Sequence, residues 1–248
     1  MRCDYFKNQN KVKGILYLIP VPIAEDDNPD LVYPLLKKTI DSLEEFIVED
    51  LKTARRALRK IGFKGEFDKC IFHILNEHTD LKGIEKFLSS AEKGKSIGLM
   101  SEAGMPCIAD PGSDIVRLAH QKNIKVIPLY GQSSIFLALA ASGLNGQNFC
   151  FYGYLPKSQN ERKKKLKELC SSPIRVGASC THIFIETPYR NNHLLEDILS
   201  TCSPETLLCI AVNITGSSEK IITRSIADWK KSELPHLDKQ PTVFLLGR

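Results

Sequence analysis

The sequence lacks any long apolar run. Its longest, Ile135 to Ala141, falls far short of the about 20 residues that a membrane-spanning helix needs, so no transmembrane segment is expected. The start, MRCDYFKNQNKVKG, has no apolar stretch of the kind a secretory signal requires. No two glycines are separated by a single residue, which excludes G-x-G-x-x-G, and Gly94-Lys95-Ser96 lacks the upstream glycine of a P-loop. Neither familiar pyrophosphate cradle is present. No C-x-x-C pair occurs among the eight cysteines. Cys3, Cys70, Cys107, Cys150, Cys170, Cys180, Cys202 and Cys209 are scattered, several within apolar strands. That suits reduced thiols and a cytoplasmic location better than a disulfide framework or a zinc site. His73, His78, His120, His182, His193 and His236 form no pair at metal-ligand spacing on one helix, so no metal is expected. His78, beside Glu77, reads either as a cleft residue or as a surface histidine. No internal repeat is visible.

What is present is ordinary globular composition. The 248 residues are 42% apolar and 25% charged, which argues against disorder. The length allows one large domain or two small ones. Net charge is +5, and its excess is local. Residues 151–175 hold Lys157, Arg162, Lys163, Lys164, Lys165, Lys167 and Arg175 against Glu161 and Glu168. Such a stretch could contact phosphates, or it could be a solvated helix face with i,i+4 charge pairs.

Short β-branched runs alternate with helical patterns. Strands are predicted at Ile15–Ile19, Phe46–Val48, Ile71–Leu75, Ser96–Met100 and Lys125–Leu129. Helices are predicted at Pro34–Leu43, Thr53–Lys60, Lys82–Ala91 and Ser113–Lys122. This alternation predicts a mostly parallel sheet covered by helices. The second half is less regular. A very apolar helix at Ile135–Ala141, expected to be buried on most sides, is capped by Ser133 or Ser134 and closed by Gly143. Further strands are predicted at Phe149–Tyr154, His182–Glu186, Leu207–Asn213, Ile221–Arg224 and Thr242–Leu246, and helices at Glu161–Cys170, Asn191–Ser200 and Ser225–Lys230. The fold class is α/β with two α/β domains, residues 1–130 with a mostly parallel sheet and residues 131–248 with a mixed one.

Ligands of open α/β sheets bind beyond the carboxyl ends of the strands. The loops there read Pro20-Val21-Pro22, then Ser101-Glu102-Ala103-Gly104-Met105-Pro106 running on to Cys107-Ile108-Ala109-Asp110-Pro111-Gly112, and Tyr130-Gly131-Gln132-Ser133-Ser134. A ligand without phosphates, held by backbone amides and a carboxylate, fits them. Glu102 could accept hydrogen bonds from a ribose or an ammonium, or simply be a helix-start acid.

SEAGMPCIADPG, followed by IKVIPLYGQSSIFLALAASGL and FCFYGYLP, resembles the tetrapyrrole-methylase superfamily of S-adenosylmethionine-dependent enzymes. The branch it is most similar to is that of the small-subunit ribosomal RNA 2′-O-ribose methyltransferases. LYLIPVPIAEDD, FIVEDLKTARRALRKIGF and HIFIETPYR resemble further segments of that branch, in the same order, from about Gly14 to the end. The chain departs from the branch at several points. Ala24 and Glu25 replace Gly-Asn of P-I-G-N, Leu51 and Lys52 replace Thr-Arg of A-E-D-T-R, and Glu102 and Met105 replace Asp and Thr. An Arg–Glu pair is lost at Ala211-Val212-Asn213-Ile214-Thr215, and the closing G-E-M-V-L becomes Gln240-Pro241-Thr242-Val243-Phe244.

The resemblance implies a methyltransferase with S-adenosyl-L-methionine seated in an interdomain cleft. Pro22, Glu102, Gly104, Met105, Ser133, Ser134, Ile135, Thr187, Asn213 and Thr242 are the implied cofactor contacts. The implied acceptor is ribose in ribosomal RNA, contacted through Lys157, Arg162, Lys163, Lys164, Lys165 and Lys167, and a homodimer is implied. Other readings are a methyltransferase acting on a small molecule such as a tetrapyrrole, and an inactive paralogue serving as an interaction module. A ribose hydroxyl is a weak nucleophile and gains from a base. Glu49, Asp50 and Glu186 are the candidates. Glu49 and Asp50 read equally as helix-terminal acids, and Glu186 equally as half of a structural pair with Arg190.

Overall fold

The computed structural model describes residues 12–27, 32–76, 79–171 and 180–248. Cys3, Glu77, His78 and Arg175 therefore lie outside the described residues. Two compact units are present. The first comprises residues 12–22 and 32–132, and the second comprises Ile23–Asp27 with Ser133–Arg248. One cut does not describe this division, because the short stretch after Pro22 belongs with the second unit.

In the first unit, β1 (Ile15–Ile19), α1 (Pro34–Asp41), β2 (Glu45–Val48), α2 (Leu51–Lys60), β3 (Ile71–Ile74), α3 (Ser89–Glu92), β4 (Ile97–Met100), α4 (Ser113–Gln121) and β5 (Lys125–Pro128) follow in order. All five strands are parallel, in the order β3-β2-β4-β1-β5. Pro34 opens α1 where its missing N–H costs nothing. Strand side chains alternate between two cores. Leu16, Ile47, Ile97 and Leu99 join Leu88, Ile115 and Ala119 on one face. Ile19, Phe46, Val48 and Met100 join Leu36, Ile40 and Leu58 on the other. Both faces are thus covered, as a parallel sheet requires. The expected α-helix at 82–91 is instead a 3-10 helix over Leu81–Leu88, followed by the short α3. Gly83, near its start, carries the backbone-entropy cost that weakens an α-turn.

In the second unit, α5 (Ser134–Ala141), β6 (Phe149–Tyr154), α6 (Gln159–Ser171), β7 (Thr181–Ile185), α7 (Asn191–Thr201), β8 (Leu207–Val212), β9 (Lys220–Ser225), α8 (Ile226–Lys231) and β10 (Thr242–Gly247) build a mixed sheet in the order β6-β7-β10-β8-β9. Only β6 and β7 run parallel among its pairs. Phe184 and Phe244 stack at 6.0 Å in its core, and the indole N–H of buried Trp229 donates to the Leu208 carbonyl at 2.9 Å. The helix α5 departs from expectation. Ile135, Ala138 and Leu139 are buried, but Phe136 and Leu137 are 50% and 38% exposed. Apolar residues fill all of its turns, yet only one stripe of a 3.6-residue helix meets β10. Among the described residues no helix is long and apolar enough to cross a membrane.

Candidate active site

At the carboxyl ends of the parallel strands, the loops after β1 and β4 are stitched together. The amides of Val21 and Gly104 each donate to the other's carbonyl, at 2.8 Å both ways. Gly104 is buried with φ 71°, a conformation glycine adopts without strain. Gly131 abuts the same turn: a Cβ there would lie 2.1 Å from Pro20 Cβ. Pro22 and Met105 flank the stitched pair, both half-buried, while Glu102 is exposed. The rest of the β4 loop is strained, for Cys107 and Ala109 have φ of 69° and 68°. Left-handed non-glycine residues cost energy and cluster at functional sites.

Three carboxyls gather here. Glu49 follows β2 and is half-buried, and its Oε1 has no hydrogen-bond partner among the described residues. Burial, then the charges of Asp110 and Glu102, push its pKa up to about 7 against a lesser pull from the Glu102 backbone N–H. Burial also raises Asp110 to about 6, partly offset by Ser101 and reinforced by Glu102. Paired acids whose ionisation is moved towards neutrality mark sites of proton transfer. The nearby Cys107 thiol is pushed up to about 11 by burial and by Asp110, so it stays protonated. Asp50, adjacent to Glu49 in sequence, does a different job. It is the N-cap of α2, and its Oδ1 accepts from the Thr53 amide at 2.8 Å and hydroxyl at 2.9 Å. These bonds hold its carboxyl below the usual range.

The second unit collects its own candidates at one end of its sheet. Thr242 opposes Val212 and Val243 opposes Ile185 in the strand register, which brings Thr242, Asn213 and Glu186 to that end. Asn213 donates from Nδ2 to Ser218 Oγ at 2.9 Å and Gln240 Oε1 at 3.0 Å. The Thr242 hydroxyl donates to the Gln240 carbonyl at 2.9 Å. A cavity of about 390 Å³ lies beside them, lined by Glu25, Asp26, Asn213, Ser218 and Lys239 among others, within the size range of small-molecule sites. Asp26 Oδ2 accepts from the Ser217 amide at 2.9 Å, fixing the 23–27 stretch to the loop after β8. Asn213, Thr215 and Lys239 around this cavity again have positive φ, 48°, 73° and 60°. Glu186 is buried, and its Oε1 accepts from Arg190 at 2.5 Å and the Thr187 amide at 2.6 Å, leaving Oε2 without a partner among the described residues. Thr187 Oγ1 accepts from Arg190 Nε at 3.2 Å. Glu186 thus orders the turn after β7. Ser133 is the N-cap of α5 by backbone position but makes no side-chain cap bond, and Ser134 and Ile135 form the first turn.

The basic segment is α6, and it is not uniformly available. Arg162 is buried, and its Nε and Nη2 donate to Asp197 Oδ2 of α7 at 2.8 and 2.6 Å. Lys163 lies 3.4 Å from Asp197, and Lys165 3.5 Å from Glu168. Lys157, Lys164 and Lys167 are exposed. The spacing of Arg162, Leu166 and Leu169 puts the arginine on the inward stripe of the helix.

Sequence reasoning passed over Asp110, although the D-P-G of its motif was in view, and over Asp26, Ser218 and Lys239. Proximity to Glu49 and the shape of the cavity become visible only once the loops are folded.

The family model of tetrapyrrole (corrin/porphyrin) methylases matches residues 20–229. The chain is 30% identical to the ribosomal RNA small subunit methyltransferase I of Pasteurella multocida (strain Pm70), over 96% of this chain and 80% of that protein. It is 31% identical to the protein of that name from Buchnera aphidicola subsp. Schizaphis graminum (strain Sg), over 94% and 78%. Among solved structures, that of the methyltransferase CobJ superposes with a TM-score of 0.59 at 17% identity, covering 95% of this chain and 94% of that one. The uroporphyrin-III-C-methyltransferase from Thermus thermophilus gives 0.50 at 16% identity, covering 94% and 92%. These two likenesses concern the fold.

Proposed function

The chain belongs to the tetrapyrrole (corrin/porphyrin) methylase family, and from that premise we propose that it moves a methyl group from S-adenosylmethionine to a ribose 2′-hydroxyl of small-subunit ribosomal RNA. The observation that carries this reading is the half-buried Glu49 carboxyl, poised near 7 beside Asp110 and Glu102. A base of that pKa suits removal of a proton from a hydroxyl at neutral pH. The relatives named above are ribosomal RNA methyltransferases, which supports the same acceptor.

The residues present fit the donor. An unpartnered carboxylate oxygen among three acids complements a cation and repels a phosphate. When bound, S-adenosylmethionine supplies a methyl group on a positively charged sulfur that leaves as a neutral thioether. In the first unit Pro22, Glu102, Gly104 and Met105 would line its seat, on the turn that the Val21–Gly104 bonds fix. In the second unit Ser133, Ser134, Ile135, Thr187, Asn213 and Thr242 are the candidates, and each is tested on its own. Glu49 takes the hydroxyl proton on its carboxylate, and the negative charges of Asp110 and Glu102 favour that uptake. Fixing donor and acceptor in line supplies much of the rest, an effect that reaches about 7–11 kcal/mol in well-oriented systems.

The RNA contacts of this reading are Lys157, Lys163, Lys164, Lys165 and Lys167. Arg162 is left out because it is spent on Asp197. The same reading takes the protein to be a cytoplasmic homodimer. Its support is the exposed apolar surface of α5 and the edge strand β6, where Phe136 and Phe149 meet edge to face at 6.1 Å and where Leu137 of α5 and Tyr154 at the far end of β6 are also exposed. A single-chain mass in light scattering would refute the dimer.

The deciding experiment is transfer of labelled methyl groups to small ribosomal subunits, naked ribosomal RNA and porphyrinogens. Label on one ribose of the ribosomal substrate is expected. Label only on porphyrinogens overturns the acceptor, and cofactor binding without transfer to any of them overturns the catalytic reading.

A further inference from the structure

Two thiols outside the candidate site face each other across a helix pair. Cys170 lies in the last turn of α6, and Cys202 is the C-cap residue of α7. Their sulfurs are 2.7 Å apart, a short step from the about 2.05 Å of an S–S bond. The two helices pack directly on each other. Arg162 and Gln159 tie the other end of α6 to Asp197 of α7 at 2.8 and 2.9 Å. The pair is therefore held on two anchored elements rather than on loops. Access differs between the partners. Cys170 is partly buried at the margin of the core, while Cys202 is 6% exposed and belongs to it. The side chain of Arg248 donates to the Cys170 carbonyl, which brings a positive charge to the more accessible sulfur.

We propose that Cys170 and Cys202 are a modification site: on exposure to a hydroperoxide they form a reversible intramolecular disulfide, Cys170 being the attacking sulfur and Cys202 the resolving one. The hydrogen bond to Cys202, and after it the Arg248 charge, hold the Cys170 thiol below its ordinary range, whereas that bond and burial push Cys202 up. The thiolate is the nucleophile, so the two sulfurs divide the roles as stated. The Cys170 thiolate attacks the O–O bond of hydrogen peroxide, forming an S–O bond and releasing hydroxide, which leaves as water with the thiol proton. The Cys202 sulfur then attacks the Cys170 sulfenic sulfur. The S–S bond forms, the S–O bond breaks, and hydroxide takes up the Cys202 proton as a second water. Two thiols lose two electrons in all, and one peroxide is reduced to two waters. A dithiol reductant reverses the step by exchange. The bond fastens the basic helix α6 to α7.

The test uses the full chain, reduced and then treated with hydrogen peroxide, with free thiols alkylated before denaturation and digestion. The expected result is a peptide pair joined through Cys170 and Cys202, lighter by two hydrogens and separated again by dithiothreitol. The oxidised chain should melt about 5–10 °C higher, as a mid-length loop closure implies. In Cys202→Ser the resolving sulfur is gone, so Cys170 should be captured by a sulfenic-acid trap such as dimedone. Pairing of other cysteines, such as Cys150 with Cys180, with no 170–202 link overturns the proposal. So does oxidation of Cys170 to sulfinic acid in the unsubstituted chain while Cys202 stays free. The mapping on the unsubstituted chain decides even where a variant fails to fold.

Discussion

Glu49 sits where two demands on a carboxyl conflict. Burial and the neighbouring Asp110 and Glu102 disfavour its charge, yet a base must be ionised to work. The conflict gives two measurable signatures. Glu49→Gln keeps the shape and loses the proton acceptor, so methyl transfer should fall by about 10²–10⁴-fold, a larger loss than the drop in cofactor affinity that calorimetry reads when the carboxylate charge is removed. In the unsubstituted protein, transfer should rise as pH passes through about 7, where Glu49 ionises, and the variant should lose that limb. A full rate in Glu49→Gln would remove Glu49 from the chemistry. Stability runs the other way. A carboxyl whose folded pKa lies above its unfolded value binds more protons folded than unfolded, so its contribution is complete below the unfolded value and disappears as pH rises through the folded one. For Glu49 and Asp110 that window runs from about 4 to about 7. Melting temperature should therefore decline across it, and less steeply in Glu49→Gln. An unchanged slope in the variant would mean that Glu49 is solvated in the folded protein.

Elements explain which parts of this arrangement can be read in advance. The central strands of the first unit announce themselves because both faces of a parallel sheet are covered there, so Ile15–Ile19 and Ile97–Met100 carry no charged residue. Pro34 and Asp50 mark helix starts by backbone chemistry that is local. What hid was tertiary. In α6 a charged residue at an apolar-stripe position looks like part of a basic face, and only the approach of α7 reveals that Arg162 is a core residue with a partner. Likewise, every residue of α5 is apolar apart from Ser134, so periodicity could not say which stripe faces β10. The Arg162–Asp197 pair carries an expectation of its own. Burial pushes the Asp197 carboxyl up, but hydrogen bonds from Gln159 and Arg162 and the guanidinium charge hold it below its usual range. Removing the guanidinium in Arg162→Met leaves a carboxylate whose side chain is 1% exposed without its main counter-charge. Breaking a buried pair from one side costs about 3–5 kcal/mol, and urea denaturation should show a loss of that order. A loss below about 1 kcal/mol would place the pair in solvent rather than in the core.

At the scale of the whole molecule, each unit has its own core and its own cluster of polar loops at a sheet end. The order of motifs along the chain was legible because those loops are contiguous in sequence. The cavity of the second unit was not, since its walls come from residues 23–26, 213–218 and 239–241. The proposal that the same molecule binds both a small cationic donor and a polyanion can be split by charge. Exposed Lys157, Lys164 and Lys167 belong to or adjoin α6 and neither line the cavity of the second unit nor join the three-acid cluster of the first. Each lysine that neutralises a phosphate steepens the dependence of RNA affinity on salt by about 0.7–0.9 in log–log slope. Replacing all three by Glu should lower that slope by about 2–3 and weaken RNA binding by about 100-fold or more at low salt. Arg162 stays in place, so the fold should be kept, and calorimetric affinity for S-adenosylmethionine should not move. If the triple variant binds RNA with the same slope as the unsubstituted chain, α6 is a solvated face and the polyanion must be met elsewhere. If donor affinity falls in parallel with RNA affinity, the substitutions have disturbed the second unit as a whole, and the separation of the two functions is refuted.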